Sequence, residues 1–170
     1  MGLHNRRQVR GRSAVAVCGI DPGRQKFGLA VADGTGGERL IFSAIVPADG
    51  FELVAGCLLC GDFRPVGEWV REKNGSGHGL LVDRLFIGNG TGSVFFSKKL
   101  GEKKIFYNII DERNTTVEGR ALYWKLYPPR GLWGILPLSL RVPPRPVDDL
   151  AAWAILRRGI NGQGPIAIPK

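Results

Sequence analysis

The most constraining feature of the sequence is an uninterrupted apolar run at residues 14–20, Ala-Val-Ala-Val-Cys-Gly-Ile. A run without polar residues at alternate positions is typical of a strand that is covered on both faces. The run ends directly in the turn residues Asp21-Pro22-Gly23, and a second apolar stretch follows from Phe27 to Ala32. A chain that begins in this way needs protein layers on both sides of a central sheet.

The rest of the chain predicts an α/β fold. A third strand over 40–46 completes an antiparallel meander, because the strong turn Asp33-Gly34-Thr35-Gly36-Gly37 precedes it. Helical and extended patterns then alternate, which predicts a mixed sheet with an antiparallel edge and parallel crossovers. The expected elements are a helix over 50–60, a second helix over 66–73, a strand at 85–87, a helix over 93–100, a strand at 105–110, a helix from Thr115 to Pro128 and a last helix over 147–156.

Two segments carry local signals of their own. Residues 128–146 hold six of the eleven prolines, so this segment is expected to be irregular and extended. Thr115 is followed three residues later by Glu118, which matches a capping box at the start of a helix.

Length and charge exclude several classes of protein. The chain has 170 residues, with 24 Lys and Arg against 15 Asp and Glu, and 24 − 15 gives a net charge of +9. Its 44% hydrophobic content excludes a disordered chain, and no apolar run reaches the roughly 18 residues that span a bilayer. We therefore expect a cytoplasmic protein without a membrane partner, and the positive charge indicates an anionic one.

The expected organisation is a basic tail over 1–12, one domain over 13–158 and a flexible tail over 159–170. The basic tail is either a solvated end or an arm that touches phosphate. The three cysteines do not form a disulfide framework. Cys57 and Cys60 match the bare C-x-x-C pattern, for which a packed helix and a zinc site are the alternatives.

Acidic residues follow the first and last predicted strands and open the last helix. Asp21 follows the first strand, Asp111 and Glu112 follow the last, and Asp148 and Asp149 begin the helix. Ligands of α/β sheets bind beyond the carboxyl ends of the parallel strands. Three carboxylates without Cys or His suit Mg²⁺ or Mn²⁺, and a pair of such ions is the usual apparatus for phosphodiester hydrolysis. The alternative is that these residues only start a turn and cap a helix.

Four motifs in order resemble those of nucleases. The segment 17–23, followed by Gly28-Leu29-Ala30-Val31, resembles the opening hairpin of the RuvC Holliday junction resolvases. The segment 110–118 is similar to the Asp-Glu-Arg-x-Ser/Thr-Thr signature of the YqgF family. The segment 87–91 resembles a strand end in the YqgF-like domain of the Tex proteins, and 147–152 the last-helix motif of the same families.

The resemblance to this YqgF/RuvC-like group of the ribonuclease H-like superfamily implies a fold and an activity. The implied fold is a five-stranded mixed sheet in the order 3-2-1-4-5 with helices on both faces. The implied activity is a two-metal endonuclease with Mg²⁺ or Mn²⁺, acting as a Holliday junction resolvase or in ribosomal RNA precursor processing. Its metal ligands would be Asp21, Glu112 or its neighbour Asp111, and Asp148, with Asp149 as a substitute.

The sequence departs from RuvC at two positions. RuvC proteins carry Glu at the end of the fourth strand, where this chain has Gly88-Asn89-Gly90. They also carry an acid three residues before the match to Asp148, where this chain has Arg145. Both departures follow the YqgF arrangement and weigh against four-way junction cleavage, which would require a homodimer.

Nucleic acid, either RNA or branched DNA, is the expected partner. The expected contacts are basic or polar residues of the predicted loops near the acids or of the Pro-rich segment: Arg24, Lys26, Asn89, Thr91, Arg113, Thr115, Thr116, Arg141 and Arg145. A catalytically silent nucleic-acid-binding module is the alternative function. Sugar kinases and actin-like ATPases also begin with a Gly-x-Asp-x-Gly hairpin, but they need two such domains.

Overall fold

The structure, a computed structural model, describes residues 14–129, 131, 137, 140–162 and 166–167. The basic tail expected over 1–12 lies outside these residues, as do parts of the Pro-rich segment and of the C-terminal tail.

The described residues form seven strands and four α-helices. In chain order they are β1 (Ala14–Asp21), β2 (Lys26–Asp33), β3 (Leu40–Pro47), α1 (Phe51–Cys60), β4 (Val70–Lys73), β5 (Leu80–Gly88), α2 (Ser93–Glu102), β6 (Tyr107–Ile110), α3 (Thr115–Leu126), α4 (Asp148–Ile160) and β7 (Ile166–Ala167). Short 3₁₀ helices precede α1 and β4, at Ala48–Gly50 and Arg64–Trp69. Each helix in the described ranges is too short or too polar to span a bilayer.

The strands form one mixed sheet in the order β4-β3-β2-β1-β5-β6-β7. β1, β2 and β3 make the antiparallel meander, whereas β1, β5 and β6 run parallel. With β5 and β6 as its fourth and fifth strands, the centre of the sheet has the expected order 3-2-1-4-5. The expected α/β fold class, with a mixed sheet in this order, is thereby confirmed. Two short edge strands, β4 and β7, extend the sheet from the expected five strands to seven.

Both faces of β1 are buried from Ala16 to Ile20, as the apolar run predicts, whereas Ala14 and Val15 are exposed. Ile20 belongs to a core that includes Phe51 of α1 and Phe96 of α2. On the opposite face, Val17 belongs to a second core that α3 and α4 complete. The continuous apolar run therefore reflects two hydrophobic layers, and the sheet edge where β1 ends remains available for polar residues.

Glycines let α4 approach the sheet closely where its acidic start meets β2. A Cβ at Gly28 would lie 1.9 Å from the carbonyl oxygen of Asp148, and one at Gly19 would lie 2.2 Å from that of Ala152. Gly28 is also the β2 partner of Asp21 in the sheet register. The close packing of α4 therefore sets Asp148 beside the end of β1.

The helix expected over 66–73 is wrong. A 3₁₀ helix ends at Trp69, and residues 70–73 form strand β4 instead. Val70, Glu72 and Lys73 of this strand pair with the free edge of β3, where Ser43 is opposite Glu72. Edge pairing satisfies backbone groups of β3 that a helix would leave open, so tertiary context overrides the local helical pattern.

The capping box expected at Thr115 is also wrong. Asn114 is the residue before α3; its φ of 68° is left-handed and its side chain makes no capping bond. The hydroxyl of Thr115 donates to the carbonyl oxygen of Glu112 at 2.8 Å. The carboxylate of Glu118 accepts instead from Arg158 of α4.

The domain boundaries and the cytoplasmic location stay predictions. At the C-terminal side, α4 continues to Ile160, and Ile166–Ala167 pair with β6 as β7.

Candidate metal centre

Asp21, Glu112 and Asp148 lie at the carboxyl edge of the parallel strands, close enough to influence one another electrostatically. Asp21 is the last residue of β1, and Glu112 lies two residues after β6. Asp148 is the first residue of α4, whose backbone rests on Gly28 opposite Asp21. Three segments that are distant in sequence thus bring one carboxylate each to the same edge.

Asp21 is electrostatically coupled to the other two acids. Burial is the largest cause that raises its pKa to about 7, and the charges of Glu112 and Asp148 raise it further. Lys26 opposes this rise. A largely desolvated carboxyl group beside two further carboxylates is an environment that a divalent cation would stabilise.

The carboxylate of Glu112 lies over two glycines, Gly88 at the end of β5 and Gly90 two residues later. A Cβ at Gly90 would lie 2.1 Å from Oε1 of Glu112, and one at Gly88 would lie 2.7 Å from Oε2. Burial raises the pKa of Glu112, while a hydrogen bond with the backbone of Gly90 opposes that rise. The Gly-Asn-Gly sequence is therefore the cradle that makes room for this side chain.

One oxygen of Glu112 is left without a partner. Within the described part of the chain, Oε2 of Glu112 is the buried side-chain oxygen or nitrogen that has no hydrogen-bond partner. A buried, unpartnered carboxylate oxygen is costly unless a cation or donor satisfies it. Together with the oxygen-only donor set of the three acids, this atom fits a hard divalent ion.

Neighbouring groups fix the backbone that carries Glu112. The side chain of Asn89 accepts a hydrogen bond from the Glu112 N–H at 3.1 Å, and the buried Thr115 hydroxyl donates to the Glu112 carbonyl. Arg158 donates to the carbonyl oxygen of Asp111 and pairs with Glu118. Asn89 and Thr115 were expected to contact nucleic acid, and the structure shows them bonded to the loop of Glu112.

Asp111 lies outside the cradle. Its side chain is exposed, and its Oδ1 accepts a hydrogen bond from the Arg113 N–H at 3.0 Å. Of the two neighbouring acids that the sequence left open, Glu112 is the one that Gly88 and Gly90 accommodate.

Asp148 forms an ion pair at the rim of the site. Its Oδ2 lies 2.9 Å from Nζ of Lys26, the first residue of β2. The described residues contain no group of three His, Cys, Asp or Glu side chains arranged tightly enough to hold a metal. The three acids influence one another electrostatically, but their carboxylates do not point to one common position. The carboxylate of Asp148 pairs with Lys26, and that of Glu112 lies against Gly90.

Asp149 belongs to a separate buried network. Its side chain is fully buried, and its Oδ2 accepts a hydrogen bond from the Ser43 hydroxyl at 2.7 Å. Its Oδ1 lies 2.8 Å from the guanidinium of Arg145, which also pairs with Glu72 at 2.7 Å. The sequence predicts Asp149 as a substitute metal ligand and Arg145 as a contact for nucleic acid. In the structure these two side chains form an ion pair with each other.

The remaining expected contacts differ in exposure. Arg24, Asn89, Thr91, Arg113 and Thr116 are exposed on the loops or at the helix start near the acids. Arg141 is partly buried, and its carbonyl oxygen accepts a hydrogen bond from Trp124 at 3.1 Å. Three features of the site are not predicted from the sequence: the glycine cradle of Glu112, the hydrogen bond of Ser43 with Asp149, and the hydrogen bond of Arg158 with the Asp111 carbonyl. Of these, the cradle alone has a local sequence feature that could have indicated it, which is the pair of glycines around Asn89.

Comparison with known proteins finds similar solved structures but no match to a protein-family model or to a curated protein. The solved structure "Thermus thermophilus RuvC structure" has 15% sequence identity and a TM-score of 0.47, over 89% of this chain and 99% of that chain. "T. thermophilus RuvC in complex with Holliday junction substrate" has 15% identity and a TM-score of 0.48, over the same 89% and 99%.

Proposed function

We propose that the chain is a metal-dependent nuclease that hydrolyses phosphodiester bonds in structured nucleic acid. The observation that carries the proposal is the partly buried carboxylate of Glu112, which lies in the glycine cradle at the same sheet edge as Asp21 and Asp148, with its buried oxygen Oε2 unpartnered. A structural acid would have its oxygens satisfied, as those of Asp149 are.

Asp21, Glu112 and Asp148 are the residues that would hold the metal. Their oxygen-only donor set suits Mg²⁺ or Mn²⁺, and the proposal includes two ions. When bound, such ions supply the positive charge that offsets the charge developing in phosphodiester hydrolysis. The chain's own contribution is to fix the carboxylates: the sheet fixes Asp21, the cradle fixes Glu112, and the packing of α4 on Gly28 fixes Asp148.

Exposed residues around the acids are suited to hold the substrate. Arg24 follows Asp21, Arg113 follows Glu112, and Asn89, Thr91 and Thr116 lie on the adjoining loops. A net charge of +9 favours a polyanion.

The acid set narrows the proposed substrate. RuvC proteins carry acids where this chain has Gly88-Asn89-Gly90 and Arg145, and the Arg145 side chain is paired with Asp149. We therefore favour a YqgF-type activity on precursor ribosomal RNA over four-way junction cleavage. Junction cleavage would in addition require a homodimer.

A silent nucleic-acid-binding module is the second candidate. It is favoured by the ion pair of Asp148 with Lys26 and by the lack of a converged metal-binding group among the described residues. Such a module would keep the basic surface and bind nucleic acid without cutting it.

A cleavage assay separates the two candidates. The native chain is incubated with an end-labelled structured RNA and with a four-way DNA junction, in EDTA, Mg²⁺ or Mn²⁺. We expect cleavage only with a divalent ion, and we expect Asp21→Asn to abolish cleavage while binding is retained. Asp83→Asn is the matched control, because Asp83 is an exposed acid on β5 near the opposite end of the sheet. Cleavage by Asp21→Asn would overturn the proposal, and binding without cleavage in every metal would favour the silent module.

A further inference from the structure

Lys26 contacts Asp148, one of the candidate metal ligands, and is partly exposed to solvent. Its ammonium lies 2.9 Å from Oδ2 of Asp148, and its side chain is 44% exposed. Lys26 begins β2 and pairs with Pro47 of β3, so its backbone is fixed by the sheet. Only the flexible side chain needs to move for the ammonium to leave Asp148.

The charge of Lys26 acts on more than one acid of the site. Besides its ion pair with Asp148, Lys26 lowers the pKa of Asp21 against the effect of the two other carboxylates. The ammonium therefore lies within electrostatic range of two of the three candidate ligands. It does not satisfy the third, because Oε2 of Glu112 has no partner.

A divalent cation and this ammonium need the same carboxylate. Like charges a few ångströms apart repel strongly where protein excludes part of the solvent, and the repulsion falls once one charge moves into water. An ion that binds Asp148 would thus be opposed by Lys26 until the ammonium turns outward.

On this basis, and resting on the proposed function, we infer that Lys26 is a built-in competitor for the metal site. Its ammonium holds Asp148 as a counter-ion, and the first divalent ion binds by displacing it. Lys26 thereby sets the metal concentration at which the site fills. Its effect on metal affinity is carried mainly through Asp148.

Direct titration with Mn²⁺ tests this inference without nucleic acid and without an activity readout. Free Mn²⁺ is followed by electron paramagnetic resonance at pH 8 and low ionic strength, with the native chain, Lys26→Met and Lys26→Arg. We expect Lys26→Met to bind Mn²⁺ roughly 10-fold more tightly than the native chain. Lys26→Arg keeps the charge and is expected to stay close to native.

Two controls separate the ion pair from a general change in charge. Lys73→Met removes an exposed Lys from β4. Lys73 pairs with Phe42 of β3, toward the end of that strand opposite to the Pro47 end where Lys26 pairs. Lys73→Met should change Mn²⁺ affinity less than 2-fold, since surface charges far from the site are screened. In an Asp148→Asn background, Lys26→Met should lose most of its effect, because the carboxylate for which the two cations compete is gone.

The outcomes distinguish the inference from the proposed function. Unchanged or weaker Mn²⁺ binding by Lys26→Met, with native binding that Asp21→Asn abolishes, would overturn the inference and leave the metal site standing. This is also the result if Lys26 only contacts phosphate. No binding by the native chain or by Lys26→Met would overturn both. Binding by Lys26→Met alone would support the competitor role and overturn the nuclease proposal for the native chain.

Discussion

The guanidinium of Arg145, which is partly exposed, and the fully buried carboxylate of Asp149, four residues later, form an ion pair with an N–O distance of 2.8 Å. The pair joins the end of the Pro-rich segment to the first turn of α4, and it reaches β3 through Ser43 and β4 through Glu72. Its neighbour Asp148 is thereby held at the start of a helix whose position is fixed from two sides.

We predict that Arg145→Met destabilises the fold without acting on the acids directly. Removal of the Arg leaves the buried carboxylate of Asp149 with the Ser43 hydroxyl as its side-chain donor among the described residues. Breaking a buried pair by removing one member costs about 3–5 kcal/mol, which urea unfolding would measure. Arg64→Met, which breaks the exposed pair with Asp62, is the matched control and should have little effect. Equal effects of the two substitutions would contradict the structural role of the buried pair.

Substitutions of the two adjacent acids at the start of α4 should have different effects: we expect one to remove activity and the other to reduce stability. Asp148→Asn removes a partly exposed pair with Lys26, so the free energy of unfolding should change by less than about 1 kcal/mol while cleavage is lost. Asp149→Asn weakens the buried network, and we expect a loss of roughly 2 kcal/mol. Urea unfolding and the RNA cleavage assay on both variants give the comparison. Stability lost in Asp148→Asn and retained in Asp149→Asn would reverse the assignment of the two residues.

The glycine cradle predicts a selective effect of one methyl group. In Gly90→Ala the added Cβ would need the space of the Glu112 carboxylate, 2.1 Å away. Because that carboxylate is the end of a flexible side chain, Glu112 should turn away while the fold persists. We expect Mn²⁺ affinity and cleavage to fall by at least about 10-fold with an unchanged circular dichroism spectrum. Gly56→Ala in α1, where a Cβ meets no atom within 4 Å, is the control. An active Gly90→Ala would show that the placement of Glu112 is irrelevant.

Asp21 should make stability depend on pH. The pKa of Asp21 is about 7 in the folded chain against an ordinary value of 3.8, so the folded state holds the proton at pH values where the unfolded state has lost it. The contribution of Asp21 to stability therefore falls as pH rises from about 4 to 7 and stays low above that range. Relative to the native chain in EDTA, Asp21→Asn should gain stability from pH 5 to pH 8, on the order of 2–4 kcal/mol. A difference between the two proteins that does not change with pH would contradict the raised pKa.

The sheet and the acidic positions could be predicted because their signals are local. The apolar run ending at Ile20, with Asp21 and its turn directly behind it, predicts both a doubly covered strand and an acid at its end. The acidic start of α4 is likewise visible beside its apolar residues. Strand β4 could not be predicted, because the residues around Val70 and Glu72 form a strand by pairing with the free edge of β3, which is a contact between distant parts of the chain.

By itself the sequence determined the α/β order of the elements. It also determined the three places where acidic residues follow a strand or begin a helix. Both follow from short-range periodicity and turn chemistry. Only the tertiary structure decided the surroundings of each acid at these places. Glu112 fits over Gly88 and Gly90, while Asp111 stays in solvent. Asp149 turns to Ser43 and Arg145, and Asp148 turns to Lys26. Neighbouring residues differ in this way because side-chain direction depends on the phase of the helix or loop and on partners that are distant in sequence, and no local pattern records either of them.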